Sequence, residues 1–132
     1  MVTEGITDYL TWYLKNVQTS RGADALYLGL YEDTVEPVIG STLATISEAS
    51  GSGYSRIQLT DAGWTIVADT ATHSEQIFTA TADWTTDIYG SFICNVSTGT
   101  AGELICVKHG TSVPWSVLNT KTIAITPTLI GS

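Results

Sequence analysis

Between residues 6 and 17 the apolar positions recur every three or four residues. Ile6, Tyr9, Leu10, Tyr13, Leu14 and Val17 fall on one stripe of a 3.6-residue period. The spacing predicts a short amphipathic helix. Thr3 serves as its cap, Glu4 lies in the first turn, and Lys15 lies near the end where the helix dipole favours a cation. Trp12 stands off the stripe. With Tyr9 and Tyr13 it makes the helix aromatic on more than one side, which suits a helix wedged between two surfaces or shared with a neighbouring subunit. Packing across one end of its own domain is the plainer alternative.

After residue 24 the period changes to two. Residues 25–31 (Ala-Leu-Tyr-Leu-Gly-Leu-Tyr) are compatible with a strand and too apolar on both faces for a solvated edge. Glu32 to Pro37 is a polar break. Tyr54 to Thr60 alternates cleanly after the Ser50-Gly51-Ser52-Gly53 loop, and Trp64–Ala68 and Gln76–Ala80 are shorter candidates. Ile88–Asn95 and Glu103–Lys108 flank a Ser/Thr/Gly connection suited to a hairpin. Lys121–Leu129 closes the series, with Pro127 near its end, where a missing donor does least harm. Seven or eight short strands separated by turn signals are the pattern of a sandwich or small jelly roll. The expected fold is mainly β: a jelly-roll-like or Greek-key β-sandwich with one short N-terminal α-helix. Residues 1–20 form the helix and 21–132 a single β domain.

The chain has 132 residues, 43% hydrophobic and 14% charged, enough apolar content for a core without staples. Its formal charge is −8. Lys15, Arg21, Arg56, Lys108 and Lys121 are scattered, so no basic run exists to displace phosphate counterions, and nucleic acid is disfavoured as a partner. No apolar run is long enough to cross a bilayer, and the N-terminus shows no secretory signal, so a soluble product made in the cytoplasm is expected. Cys94 and Cys106 lie inside apolar runs and read as buried reduced thiols, with a single cross-strand disulfide as the alternative.

Candidate chemistry is thin. His73 sits in a polar stretch and His109 follows Lys108. Neither has the partner spacing of a metal site, and both read as exposed loop residues. No nucleophile elbow occurs, and neither cysteine has a motif linking it to a histidine. Glu32, Asp33 and Glu36 cluster without calcium-loop spacing. Asp83 and Asp87 flank Trp84 and are weighed as a sugar-binding or glycosidase pair, but Trp84 reads more simply as an anchor for the apolar strand after it. No enzyme activity, cofactor or metal is expected.

The order of several short segments carries a resemblance. The apolar strand at 25–31 leads through a Gly/Ser loop to Gly53-Tyr54-Ser55-Arg56-Ile57-Gln58-Leu59. Phe78-Thr79-Ala80 and Ala82-Asp83-Trp84 precede Ile88-Tyr89-Gly90-Ser91-Phe92-Ile93. Gly102-Glu103-Leu104-Ile105 and Ile123-Ala124-Ile125-Thr126-Pro127-Thr128-Leu129 follow. Over most of its length after residue 6 the chain resembles a group of small tailed-bacteriophage virion proteins, described as capsid decoration (cement) or tail-fibre-like proteins. The resemblance implies a knob that oligomerises, commonly as a homotrimer, on the phage head surface and binds the major capsid protein. Candidate subunit or capsid contacts are Tyr9, Trp12, Tyr13, Leu26, Tyr27, Leu28, Leu30 and Tyr31, since aromatic residues are enriched at interfaces. The alternative is a tail or fibre component touching the host surface, with Trp64, Trp84 and Trp115 as sugar-stacking groups.

Overall fold

A computed structural model describes residues 26–38 and 40–130 of the chain. The helix expected over 1–20, and with it Tyr9, Trp12 and Tyr13, lies outside the described residues. The strands are β1 Leu26–Tyr31, β2 Ile57–Leu59, β3 Trp64–Val67, β4 Thr70–His73, β5 Gln76–Thr79, β6 Gly90–Cys94, β7 Leu104–His109, β8 Thr122–Ile125 and β9 Thr128–Ile130. Among the described residues they form three antiparallel sheets, in the orders β2-β1-β6-β7, β3-β4-β9 and β5-β8.

β1 lies between β2 and β6, and both of its faces are used. Leu26, Leu28 and Leu30 enter a core with Leu59, Trp64, Ala71, Phe78, Ile93 and Ile123, so all three sheets contribute to it. On the opposite face Tyr31 joins Phe92 and Cys94 beneath Leu43 and Ile46, which come from the segment between β1 and β2. Covering both faces explains why the sequence of β1 is a continuous apolar run rather than an alternation.

The two cysteines fall on opposite sides of this sheet. Ile93 pairs with Cys106, while Cys94, beyond a register shift, pairs with Leu104. Cys94 belongs to the smaller cluster and Cys106 packs against the larger one, and both thiols are free. Side chains on opposite faces of a pleated sheet point away from each other, so adjacency in the ladder does not bring the sulfurs together.

Several expected boundaries shift for identifiable reasons. Thr70–His73, expected as a polar connection, is β4. Its inward positions are Ala71 and His73, one small and one polar, so the hydrophobic alternation that marks a strand is weak there. The single closing strand expected over Lys121–Leu129 is two strands, β8 on β5 and β9 on β4. Pro127 lies at the break between them, where it has no N–H to give. Its carbonyl accepts the His73 N–H at 2.9 Å. Between Thr72↔Thr128 and Gln76↔Ile125 the register slips by one residue, so β4–β5 and β9–β8 form one ribbon interrupted at Ser74-Glu75. β2 passes into β3 through a 3-10 turn at Asp61–Gly63, which joins two sheets on that side. On the other side β7 is not hydrogen-bonded to β8 or β9, and a groove lies there.

Candidate functional site

The inward residues of β3, β4 and β9, led by Trp64, Ala71 and Leu129, are held by the larger core. Strict alternation then turns the others outward. Thr65, Thr72 and Thr128 form one cross-strand row, and Val67, Thr70 and Ile130 form the next. Val67 and Ile130 are each 69% exposed. On the adjoining ribbon Phe78 and Ile123 point inward, leaving Ile77, Thr79, Thr122 and Ala124 exposed. None of these ten outward side chains is charged, and nine are β-branched. A solvated sheet face normally mixes charge with apolar groups. Here the ten positions carry none, and the carboxylates beside them are Glu75, exposed in the interruption between β4 and β5, and Asp69 in the β3–β4 turn.

Beside this face runs the groove between the four-stranded sheet and the β8–β9 edge, about 290 Å³ in volume. Ile93, Cys106, Trp115, Ile125 and Pro127 make its apolar wall, and Lys108 stands on its polar side. Trp115 is half-buried, with its indole N–H donated to the Thr111 carbonyl at 3.2 Å. Burial pushes the Cys106 thiol up to about 11, so it stays protonated near neutrality and is a poor nucleophile.

The polar groups inside the domain are engaged in holding it together. Arg56, whose side chain is 3% exposed, pairs with Glu48 at 2.5 Å. It also donates to the carbonyls of Val96 (2.9 Å) and Gly99 (2.8 Å), and its guanidinium lies 5.5 Å from the centre of the Phe92 ring. Tyr54 donates its hydroxyl hydrogen to Glu48 at 2.9 Å and accepts the Leu30 N–H at 3.1 Å. Burial raises the Tyr54 pKa above its ordinary value. The cluster ties the β6–β7 connection to β2 and the Glu48 segment.

Both histidines depart from the exposed-loop expectation. His73 is 3% exposed, its ring edge-on to Trp64 at 5.1 Å. Its Nε2 lies 3.1 Å from the Thr60 carbonyl and its Nδ1 is within 3.4 Å of the Ser74 hydroxyl and the Gln76 amide. Nδ1 also lies 3.0 Å from the Ser74 carbonyl, so both ring nitrogens face a backbone acceptor and either neutral tautomer donates to one of the two. His109 ends β7, half-buried, with Nδ1 2.9 Å from the Tyr31 hydroxyl. Burial, with Glu36 and Asp33 nearby, pushes the Tyr31 hydroxyl up to about 12.

The Asp83/Asp87 pair is a latch. Asp83 accepts the Asn119 N–H at 2.7 Å and Asp87 accepts the Ser116 hydroxyl at 2.8 Å, which fastens the 115–119 segment. Trp84 is buried between them and donates to the Ser52 carbonyl at 2.9 Å. Among the described residues no group of three or more His, Cys, Asp or Glu converges as a metal site, and no helix is long and apolar enough to cross a membrane.

The contact residues expected on β1 are placed otherwise. Leu26, Leu28, Leu30 and Tyr31 are at most 1% exposed, packed within their own chain, because β1 is an interior strand. Only Tyr27 of that set keeps partial exposure. Of the three tryptophans expected to stack on sugar, Trp64 and Trp84 are buried and Trp115 alone reaches the groove. Sequence reasoning missed the uncharged face. The signal was the lack of any charged residue in β3, β4, β5, β8 and β9. Comparison with protein-family models, curated proteins and solved structures finds no match to this chain.

Proposed function

We propose that this chain is a structural virion protein, a capsid decoration (cement) protein that binds the major capsid lattice of a tailed phage and braces the head. In this reading the three sheets form a sandwich of jelly-roll or Greek-key type, present as a homo-oligomer on the particle surface. The observation that carries the assembly role is the uncharged β-branched face on an acidic domain. Such a face can be covered by protein without stripping water from a charge, which is the expensive step in forming an interface. The rest of the acidic surface keeps free copies soluble and apart. Cementing then relies on many identical weak contacts whose effects multiply through avidity. The phage assignment itself rests on the order of short segments from residue 25 to residue 129.

The test is to assemble heads without this protein and challenge them with heat or osmotic shock. Fragile particles that lose DNA are expected; DNA retention equal to that of complete heads overturns the cement role. Trp115 and Lys108 beside the groove favour one alternative, a tail or fibre part that touches host sugar. Copy number separates the two, since decoration needs hundreds of copies per particle and a tail part needs few.

A further inference from the structure

We propose that the groove between β7 and the β8–β9 edge binds a small carboxylate with an apolar body, a short alkyl chain or a single ring. This goes beyond the virion reading and is independent of it. At about 290 Å³ the groove lies near the lower end of ligand sites, which run from roughly 300 to 1,000 Å³. β7 walls it on one side and is not hydrogen-bonded to β8 or β9 on the other, so a ligand enters without breaking a ladder.

Strand register sets the polar end of the site. Ser91 and Lys108 are direct partners across β6 and β7, on the face that carries the Ile93–Cys106 pair two steps along. Directly opposed residues of an antiparallel pair have Cβ atoms about 4.5–5.5 Å apart, so this hydroxyl and this ammonium can meet one carboxylate. Ser91 is 7% exposed and lines the groove, and among the described residues its hydroxyl has no hydrogen-bond partner. A buried hydroxyl of this kind gains by a partner placed in the groove.

The charge of the groove points to an anion. Among the described residues no carboxylate pairs with Lys108, and the one ion pair is Arg56 with Glu48. The chain has 13 Asp and Glu residues, yet none of them lines the groove. His109 turns its ring to the Tyr31 hydroxyl on the opposite face of the sheet, which leaves Lys108 to supply the charge. A positive, acid-free groove on an acidic domain draws in a negative ligand. The other end of the site is apolar. Trp115, Ile125 and Pro127 on one wall, with Ile93 and Cys106 on the other, offer contact to an apolar body. A sugar acid would leave ring hydroxyls against these side chains without partners.

Titration of the full chain with hexanoate, followed by the magnetic resonance signal of the Trp115 indole N–H, is the test. Saturable shifts with a dissociation constant of about 1 mM are expected, the scale a ligand of this size reaches. Acetate, which lacks the body, and hexanol, which lacks the charge, are expected to bind at least about tenfold more weakly. Lys108→Met keeps the aliphatic stem and is expected to weaken hexanoate about tenfold while leaving hexanol unchanged. Ser91→Ala is expected to weaken hexanoate several-fold, and urea midpoints near that of the wild type show that both variants fold. No saturable shift up to about 20 mM hexanoate, hexanol binding as tightly as hexanoate, or Lys108→Met binding as the wild type does overturns the proposal. Glucuronate bound where hexanoate is not also overturns it, and makes the groove a sugar-acid site of the kind the tail alternative would use.

Discussion

The ring of Phe92 stands where a side chain on Gly29 would be. A Cβ built on Gly29 would lie 2.3 Å from Phe92 Cζ, and the two residues are direct partners in the β1–β6 ladder. Two steps along the same ladder the relationship is reversed: Tyr31 is paired with Gly90, whose Cβ would lie 2.6 Å from the Tyr31 ring. Each aromatic residue lies across the bare backbone of the opposite strand, so large rings fit on a sheet face that Leu43 and Ile46 also cover. Gly29→Ala is expected to cost about 1–3 kcal/mol through overpacking, measured by urea unfolding. Phe92→Leu in the same chain should recover part of that loss. Equal and additive losses in the two single variants would show that the ring and the methyl do not compete.

Arg56 gives a second expectation. Arg56→Met removes the partner of Glu48 and both bonds to the β6–β7 connection, and should cost about 3 kcal/mol, toward the low end for breaking a buried pair because Glu48 remains partly hydrated. Amide hydrogen exchange in residues 96–102 should quicken before the rest of the domain does. Glu48→Gln keeps an acceptor for the guanidinium and should cost less. Unaltered exchange in that connection would mean Arg56 does not fasten it.

His73 and Gly63 form a coupled pair. The His73 ring occupies the space above Gly63, where a Cβ would lie 2.1 Å from Nε2. His73→Ala is expected to cost about 2–4 kcal/mol, from the vacated space beside Trp64 and the lost ring hydrogen bonding to the Thr60 and Ser74 carbonyls. Gly63→Ala should damage the wild type more than it damages the His73→Ala chain. A double-mutant cycle with no interaction energy would refute the contact.

Much of this architecture is legible in the sequence, and the missing parts have physical causes. β1, β3, β5 and the β6–β7 hairpin stand out because their inward residues are large and apolar, among them Leu28, Trp64, Phe78 and Ile93. β4 does not, because an alanine and a hydrogen-bonded histidine fill its inward positions. The alternating run from Tyr54 shrinks to Ile57–Leu59 because Tyr54 and Arg56 reach Glu48 with their polar ends. Burial of His73 depends on carbonyls and a ring contributed from elsewhere in the chain, which local pattern does not reveal. The outer face was hidden for another reason: threonine between strands reads as turn chemistry until the strands that carry it are known.

Alkaline pH should destabilise the domain. The unfolded chain releases the Cys106 proton near 9 and the Tyr31 proton near 10, while the folded chain holds them to about 11 and about 12. Above pH 9 the unfolded state therefore binds fewer protons, so stability is full below that point and falls as pH rises toward 12. Urea midpoints recorded across this range should decline. Tyr31→Phe should flatten the part between 10 and 12, at the cost of the bond to His109. A midpoint independent of pH over this interval would remove burial of these groups as a factor.

On β3, β4 and β9 the residues that make the core and those that make the uncharged face alternate one by one. The two surfaces are thus written in a single reading frame. Substitution at Thr65 or Thr72 edits the exterior alone, whereas one residue inserted within β4 would turn the remainder of that strand over, sending His73 to solvent and a threonine toward Trp64. A lineage of such proteins can retune its outer contacts freely by point changes, yet length changes in these strands should be confined to the turns between them.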